Sequence, residues 1–296
     1  MTRVFRRPSP FTSFVMKPCL VVLTDFSPAS ERARAYAAAL AAPLGAELHL
    51  VHVFWPVPMA LEYGMVLPIM DGAYMRETCR SLEQVAAALP VPATAELLEA
   101  DWYEAVQQVL EKYRPLLLVA GLTATQSWFE EWLSNRALPL AHQTGYPLLL
   151  VPEHLSGAAL CPPRRLALAV ENQAFVLAPA AKAVTPLLDG LGTEVVAVCV
   201  LPPEDRAGGW VGLRAAQCCG LAAAMPKSGL HKVIGKLPAS GILQGATELG
   251  ADLIALLDQG HGWVHQLLSG SVVGYVLRHA QVPVLLLSAH RPAGQD

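Results

Sequence analysis

The chain has 296 residues, of which 53% are apolar and only 15% charged, with a net charge of −3. This balance removes the electrostatic case for nucleic acid, and no apolar run reaches the roughly 18 residues a membrane span requires. The length predicts two domains at roughly 150 residues each. A charged share well below the usual ~25% predicts sheets covered on both faces and a buried contact between the domains.

Residues 1–17 carry Arg3, Arg6, Arg7 and Lys17, with no acid and no sustained apolar core. A secretory signal is not expected there. The segment reads as a disordered lead, or as a start placed too early with Met16 as the true first residue. From Cys19 to Thr24 the chain reads as an apolar strand ending in Asp25-Phe26-Ser27-Pro28. Ser27 is placed to cap a helix, and Pro28 suits that helix's first position. Predicted next are a helix from Ala29 to Ala42, a strand from Glu47 to Phe54, and a proline- and methionine-rich loop from Trp55 to Tyr74. A helix from Met75 to Leu89, a strand from Thr94 to Leu98 and a helix from Trp102 to Lys112 lead to a fourth strand reaching Gly121. The nearly pure aliphatic run from Leu148 to Val151 is the fifth strand. Strands alternating with helices predict a parallel α/β sheet.

Residues 153–164 read as a linker. A strand from Arg165 to Val170 then opens a second series, with Glu171 where Asp25 stood. A helix from Ala174 to Leu188, a strand from Glu194 to Val200, and a Pro, Asp and Gly loop carrying Trp210 come next. They are followed by a helix from Gly212 to Ala224, a strand from Leu230 to Lys236 and a helix from Ala239 to Leu249. Asp252 to Leu257 is a short apolar run of the kind buried in a parallel sheet. It breaks at Asp258-Gln259-Gly260, where glycine permits a turn that a β-carbon would obstruct. Gly270-Ser271 opens a helix with Val272, Val273, Val276 and Leu277 as its apolar stripe. Pro283 stops that helix and starts a strand from Val284 to Leu287. Backbone N–H groups near Gly260 and at the Gly270-Ser271 helix start form a candidate phosphate cradle.

The same layout occurs twice. Gly121 lies opposite Leu257, Ala124 opposite Gly260, Ser134 opposite Gly270 and Pro147 opposite Pro283, each 136 residues apart. Internal duplication is the simplest account, giving copies at residues 18–152 and 165–288. Asp25 to Glu171 is 146 residues, so copy two is ten residues shorter before its fourth strand, a deficit expected in the loops.

These residues resemble the universal stress protein family. Its nucleotide-binding members carry Gly-x2-Gly-x9-Gly-Ser/Thr between the fourth strand and the last helix. Copy two supplies Leu257-x2-Gly260-x9-Gly270-Ser271, and copy one supplies Gly121-x2-Ala124-x9-Ser134-Asn135. The TDFSP run, the Ala-rich helix after it and the strand ending His52-Val53-Phe54 match the family as well. The resemblance implies two tandem open parallel five-stranded sheets, Rossmann-like in order 3-2-1-4-5, with helices on both faces. It implies that the acidic residue, Asp25 or Glu171, contacts the nucleoside. It also implies that the final strands pair across a dimer, which a tandem chain would do within itself as a pseudo-dimer. A homodimer beyond that is left open.

In a doubly wound sheet ligands bind where strand order reverses. The candidate ATP site is therefore Glu171 with Gly260, Gly270 and Ser271 in copy two, and Asp25 with Gly121 in copy one. Copy two is the better candidate because it keeps more of the loop; copy one, crowded by Trp128, Phe129 and Trp132, reads as structural. His261 and His265 are four apart but lack the glutamate of a zinc-protease motif, so they read as loop residues rather than metal ligands. The six cysteines show no paired spacing, which fits a reducing cytoplasm. Spacing assembles no nucleophile–base pair. The expectation is a stress-response regulatory protein without evident catalysis, slow ATP hydrolysis left open. The alternatives are a nucleotide-free interaction scaffold and an enzyme of the wider adenine-nucleotide hydrolase-like group, for which no catalytic residues are found.

Overall fold

The computed structural model describes residues 17–54, 59–60, 66–67, 72–123, 138–259 and 272–292. Copy one runs β1 (Cys19–Leu23), α1 (Pro28–Ala41), β2 (Glu47–Phe54), a short antiparallel pair β3 (Met59–Ala60) and β4 (Val66–Leu67), and α2 (Gly72–Ala87). It continues with β5 (Ala93–Glu99), α3 (Trp102–Tyr113), β6 (Leu117–Leu122), α4 (Leu138–Thr144) and β7 (Leu148–Pro152). Copy two runs β8 (Arg165–Val170), β9 (Val176–Leu177), α5 (Thr185–Leu191), β10 (Glu194–Leu201), α6 (Trp210–Cys218) and β11 (Leu230–Ile234). It ends with α7 (Pro238–Leu249), β12 (Leu253–Asp258), α8 (Val272–His279) and β13 (Val284–His290).

Two separate five-stranded sheets are not what forms. The strands make one 11-stranded sheet in the order β11-β10-β8-β12-β13-β7-β6-β1-β2-β5, with β9 added to β13. Within each half the five main strands run in the order 3-2-1-4-5 and pair in parallel, while β9 adds antiparallel to β13. The halves meet through β7 and β13, which pair antiparallel with Leu148, Leu149 and Leu150 opposite Leu286, Leu285 and Val284. The physical reason lies in those strands. Their segments Leu148–Val151 and Val284–Leu287 are aliphatic and buried on both faces, and a bare edge of that kind would leave its backbone groups unpaired in an apolar setting.

Alternate residues of each strand feed opposite faces, and the two buried cores follow that division. One takes Leu20 and Val22 of β1 together with α1, α2, α5 and α6; the other takes Val21 and Leu23 together with α3, α4, α7 and α8. Each core draws on both copies: Tyr36, Leu155 and Leu188 share one, Leu118, Leu140 and Ile254 the other. Across the seam, α5 sits so close to Leu44 that a β-carbon at Gly190 would overlap that leucine's side chain.

Copy two departs from the expected helices in two places. The helix expected from Ala174 to Leu188 does not form, because Pro179 would fall inside it and its ring would clash with the preceding turn. The chain instead stays extended through β9, makes a 3-10 turn over Ala180–Val184, and only then enters α5 with Pro186 in its first turn. The helix expected from Gly212 to Ala224 stops at Cys218, and Gly220 lies beyond it with φ +72°. Thus α6 has 9 residues where α2 has 16, and the ten-residue deficit falls on a helix as well as on loops.

Candidate functional site

In copy one the strand order reverses between β1 and β6, and Asp25, Ser30, His52, Trp102 and Gly121 line one cleft at their carboxyl ends. Asp25 is bound into the start of α1. Its Oδ1 accepts from the Ser27 N–H at 3.0 Å, from the Ser27 hydroxyl at 2.6 Å and from the Ser30 hydroxyl. Ser27 is the helix cap, its Oγ accepting from the Ser30 N–H at 3.2 Å. Phe26 takes φ +62° to make this turn, and its ring lies 5.4 Å from that of His52. The His52 Nδ1 is 2.7 Å from the Thr24 carbonyl oxygen, so that nitrogen carries the proton and donates it.

Partial burial pushes the Asp25 carboxyl up, but the bonds from Ser27 and Ser30 outweigh it and leave it below its ordinary value. A carboxyl held low in the folded state stabilises fully above its unfolded pKa of about 4, and that contribution is lost as pH falls through the lower folded value. We therefore expect wild type and Asp25→Asn to differ in melting temperature at neutral pH and to converge on acidification below about pH 4. Melting curves across that range, with parallel curves as the contrary outcome, check it.

Gly121 serves the same helix. A β-carbon there would lie 2.5 Å from the Ala29 carbonyl oxygen and 2.6 Å from the Ser30 nitrogen, both backbone atoms. The strand end and the first turn of α1 therefore meet only because residue 121 has no side chain.

Copy two is built differently at the corresponding place. Glu171 follows β8, and the first turn of α6 rests on its backbone. A β-carbon at Gly212 would overlap the Glu171 carbonyl oxygen and stand 3.1 Å from its carbonyl carbon. The neighbouring Asn172 donates to Asp205 at 3.4 Å, and Gly208 presses on both. Leu257, opposite Gly121 in the repeat, is 3% exposed and shares a core with Phe175 and Leu213. Gly260, Gly270 and Ser271 lie outside the described residues, as do His261, His265, Ala124, Ser134 and Asn135.

So the structure brings Asp25 and Gly121 together, and it places Glu171 beneath α6. Sequence reasoning missed Ser30, His52 and Trp102 in the first cleft and Gly212 in the second. Ser30, three residues after the cap, carried a readable signal, since a polar side chain there folds back on the cap. Gly212 carried none. Among the described residues, no group of three or more His, Cys, Asp or Glu is arranged to hold a metal ion, and no helix is long and apolar enough to cross a membrane.

Two doubly wound α/β halves, fused through their last strands and each carrying an acid at the strand reversal, define a tandem Rossmann-like protein. The family model described as the universal stress protein family matches residues 18–152 and 168–288, and the chain belongs to that family in its tandem form. Its fold is similar to the crystal structure of a universal stress protein from Archaeoglobus fulgidus DSM 4304, with a TM-score of 0.60 and 18% identity over 94% of this chain and 97% of that one. A putative universal stress protein from Pseudomonas aeruginosa UCBPP-PA14 is also similar, with a TM-score of 0.48 and 12% identity over 93% and 94% of the two chains. At 18% identity the likeness to the Archaeoglobus fulgidus protein concerns the fold alone. No curated protein matches the chain.

Proposed function

We propose that this chain is a stress-response regulatory protein acting as a nucleotide-free interaction scaffold. Membership of the universal stress protein family supports the stress-response part. The scaffold part is carried by one observation: Asp25 and Gly121, the copy-one residues placed to meet a nucleoside, are both committed to seating α1. The pairing of β7 with β13 supports each copy serving as the other's partner within one chain. All six cysteines are free, which supports a reducing compartment.

Calorimetric titration of the intact protein with ATP tests the reading, together with assay of nucleotide released on denaturing the purified protein. The expected result is no heat beyond dilution and no released nucleotide. Micromolar binding would overturn the scaffold reading in favour of an ATP-dependent regulator.

A further inference from the structure

We propose that copy two, although it keeps Gly260, Gly270 and Ser271, has its nucleoside position filled by its own chain, so that any nucleotide this protein holds is held by copy one. The inference extends the nucleotide-free reading to the copy that retains more of the glycine motif, and it stands apart from the fate of copy one.

Three features of copy two close the position, and they are mutually dependent. The first is Leu257. In copy one the bare α-carbon of Gly121 is what allows the first turn of α1 to reach the strand end. A leucine at that point excludes any such approach, and its side chain, 3% exposed, belongs to the buried core that also holds Phe175 and Leu213.

The second is the path of the chain after β8. In copy one Pro28 begins α1 three residues after Asp25; in copy two no helical turn begins until Ala180, nine residues after Glu171. Between them the chain leaves the strand reversal and runs to the edge of β13, where the Ala178 N–H donates to the Ser288 carbonyl at 2.9 Å and Leu177 pairs with Ala289. The helix start that faces the cleft in copy one has therefore moved away in copy two.

The third is α6. Its shortening relative to α2 accompanies a close seat on the Glu171 carbonyl, one that admits only glycine at position 212. The Asn172–Asp205 hydrogen bond and the contact of Gly208 with both residues fasten the turn after β10 to the residue after Glu171. Leucine at 257, the proline-directed detour and the seated α6 belong together. Restoring the first helix would need residue 257 to be small and the β9 segment to leave β13.

Amide NMR on the intact isotope-labelled protein, titrated with MgATP into the millimolar range, separates the cases. The expected result is that the amides of Glu171, Gly208, Gly212 and Leu257 do not shift. Saturable shifts confined to Asp25, Ser30 and Gly121 would defeat the nucleotide-free reading while supporting this one. No shifts in either copy would support both. Saturable shifts at Glu171, Gly212 and Leu257 would overturn the proposal, whatever copy one does.

Discussion

Gly121→Ala is expected to destabilise the protein by about 2–3 kcal/mol, the usual scale for forcing a methyl group into a filled core. For a chain of 296 residues that is a fall of roughly 3–5 °C in melting temperature. The atoms it would meet are backbone, the Ala29 carbonyl and the Ser30 nitrogen, so no side-chain rotation can relieve the overlap. Relief must come from lifting the first turn of α1, which also pulls on the Ser27 cap and on the bonds between Ser30 and Asp25. The repeat provides an internal control. Leu257→Ala, at the corresponding place in copy two, is expected to lose about 2–5 kcal/mol for the opposite reason, a cavity left where a buried side chain stood. Thermal denaturation of the two variants measures both. A Gly121→Ala protein melting within a degree of wild type would show that α1 does not depend on the bare α-carbon.

Leu285→Asp is expected to lose more than about 4 kcal/mol, because it buries an unpaired carboxylate in the middle of the sheet. Leu285 is 1% exposed and stands opposite Leu149 of the other copy. Leu285→Ala is the milder test, at about 3 kcal/mol. The informative result is where the loss is felt. Both buried cores cross the seam, so amide hydrogen exchange should accelerate in β1 and β6 of copy one as well as in β8 and β12 of copy two. Protection retained in copy one alone would mean that the halves fold as separate units.

Much of this architecture was legible in the sequence. Aliphatic runs marked the strands, and Ser27-Pro28 marked the start of α1, because capping and proline chemistry are local. What failed depended on contacts far along the chain. Pro179 was a readable warning against a helix from Ala174 to Leu188, but its outcome, a strand added to β13, depends on residues 289 and 290. The family resemblance implied that the last strands pair with each other, but the single sheet this makes joins residues 134 to 138 apart, which no periodicity reports. Gly121 looked like a ligand-loop residue, and the approach of Ala29 that gives it a packing role is visible only in three dimensions. Ranking the copies by their glycines could not register the position of α6 over Glu171, since that contact turns on the absence of a side chain at Gly212.

The antiparallel join between β7 and β13 also has a consequence in time. When synthesis has passed Pro152, every strand of copy one has been made, yet the outer edge of β7 has no neighbour until β13 has followed it out of the ribosome. That takes 138 further residues, through His290, or roughly ten seconds at ordinary elongation rates. Throughout that interval Leu148, Leu149 and Leu150 offer an aliphatic edge that the same segment of a neighbouring nascent chain on one message can satisfy. The order of manufacture thus sets the intended partner in a race against an identical stranger, and a slow stretch of translation within copy two would favour the stranger.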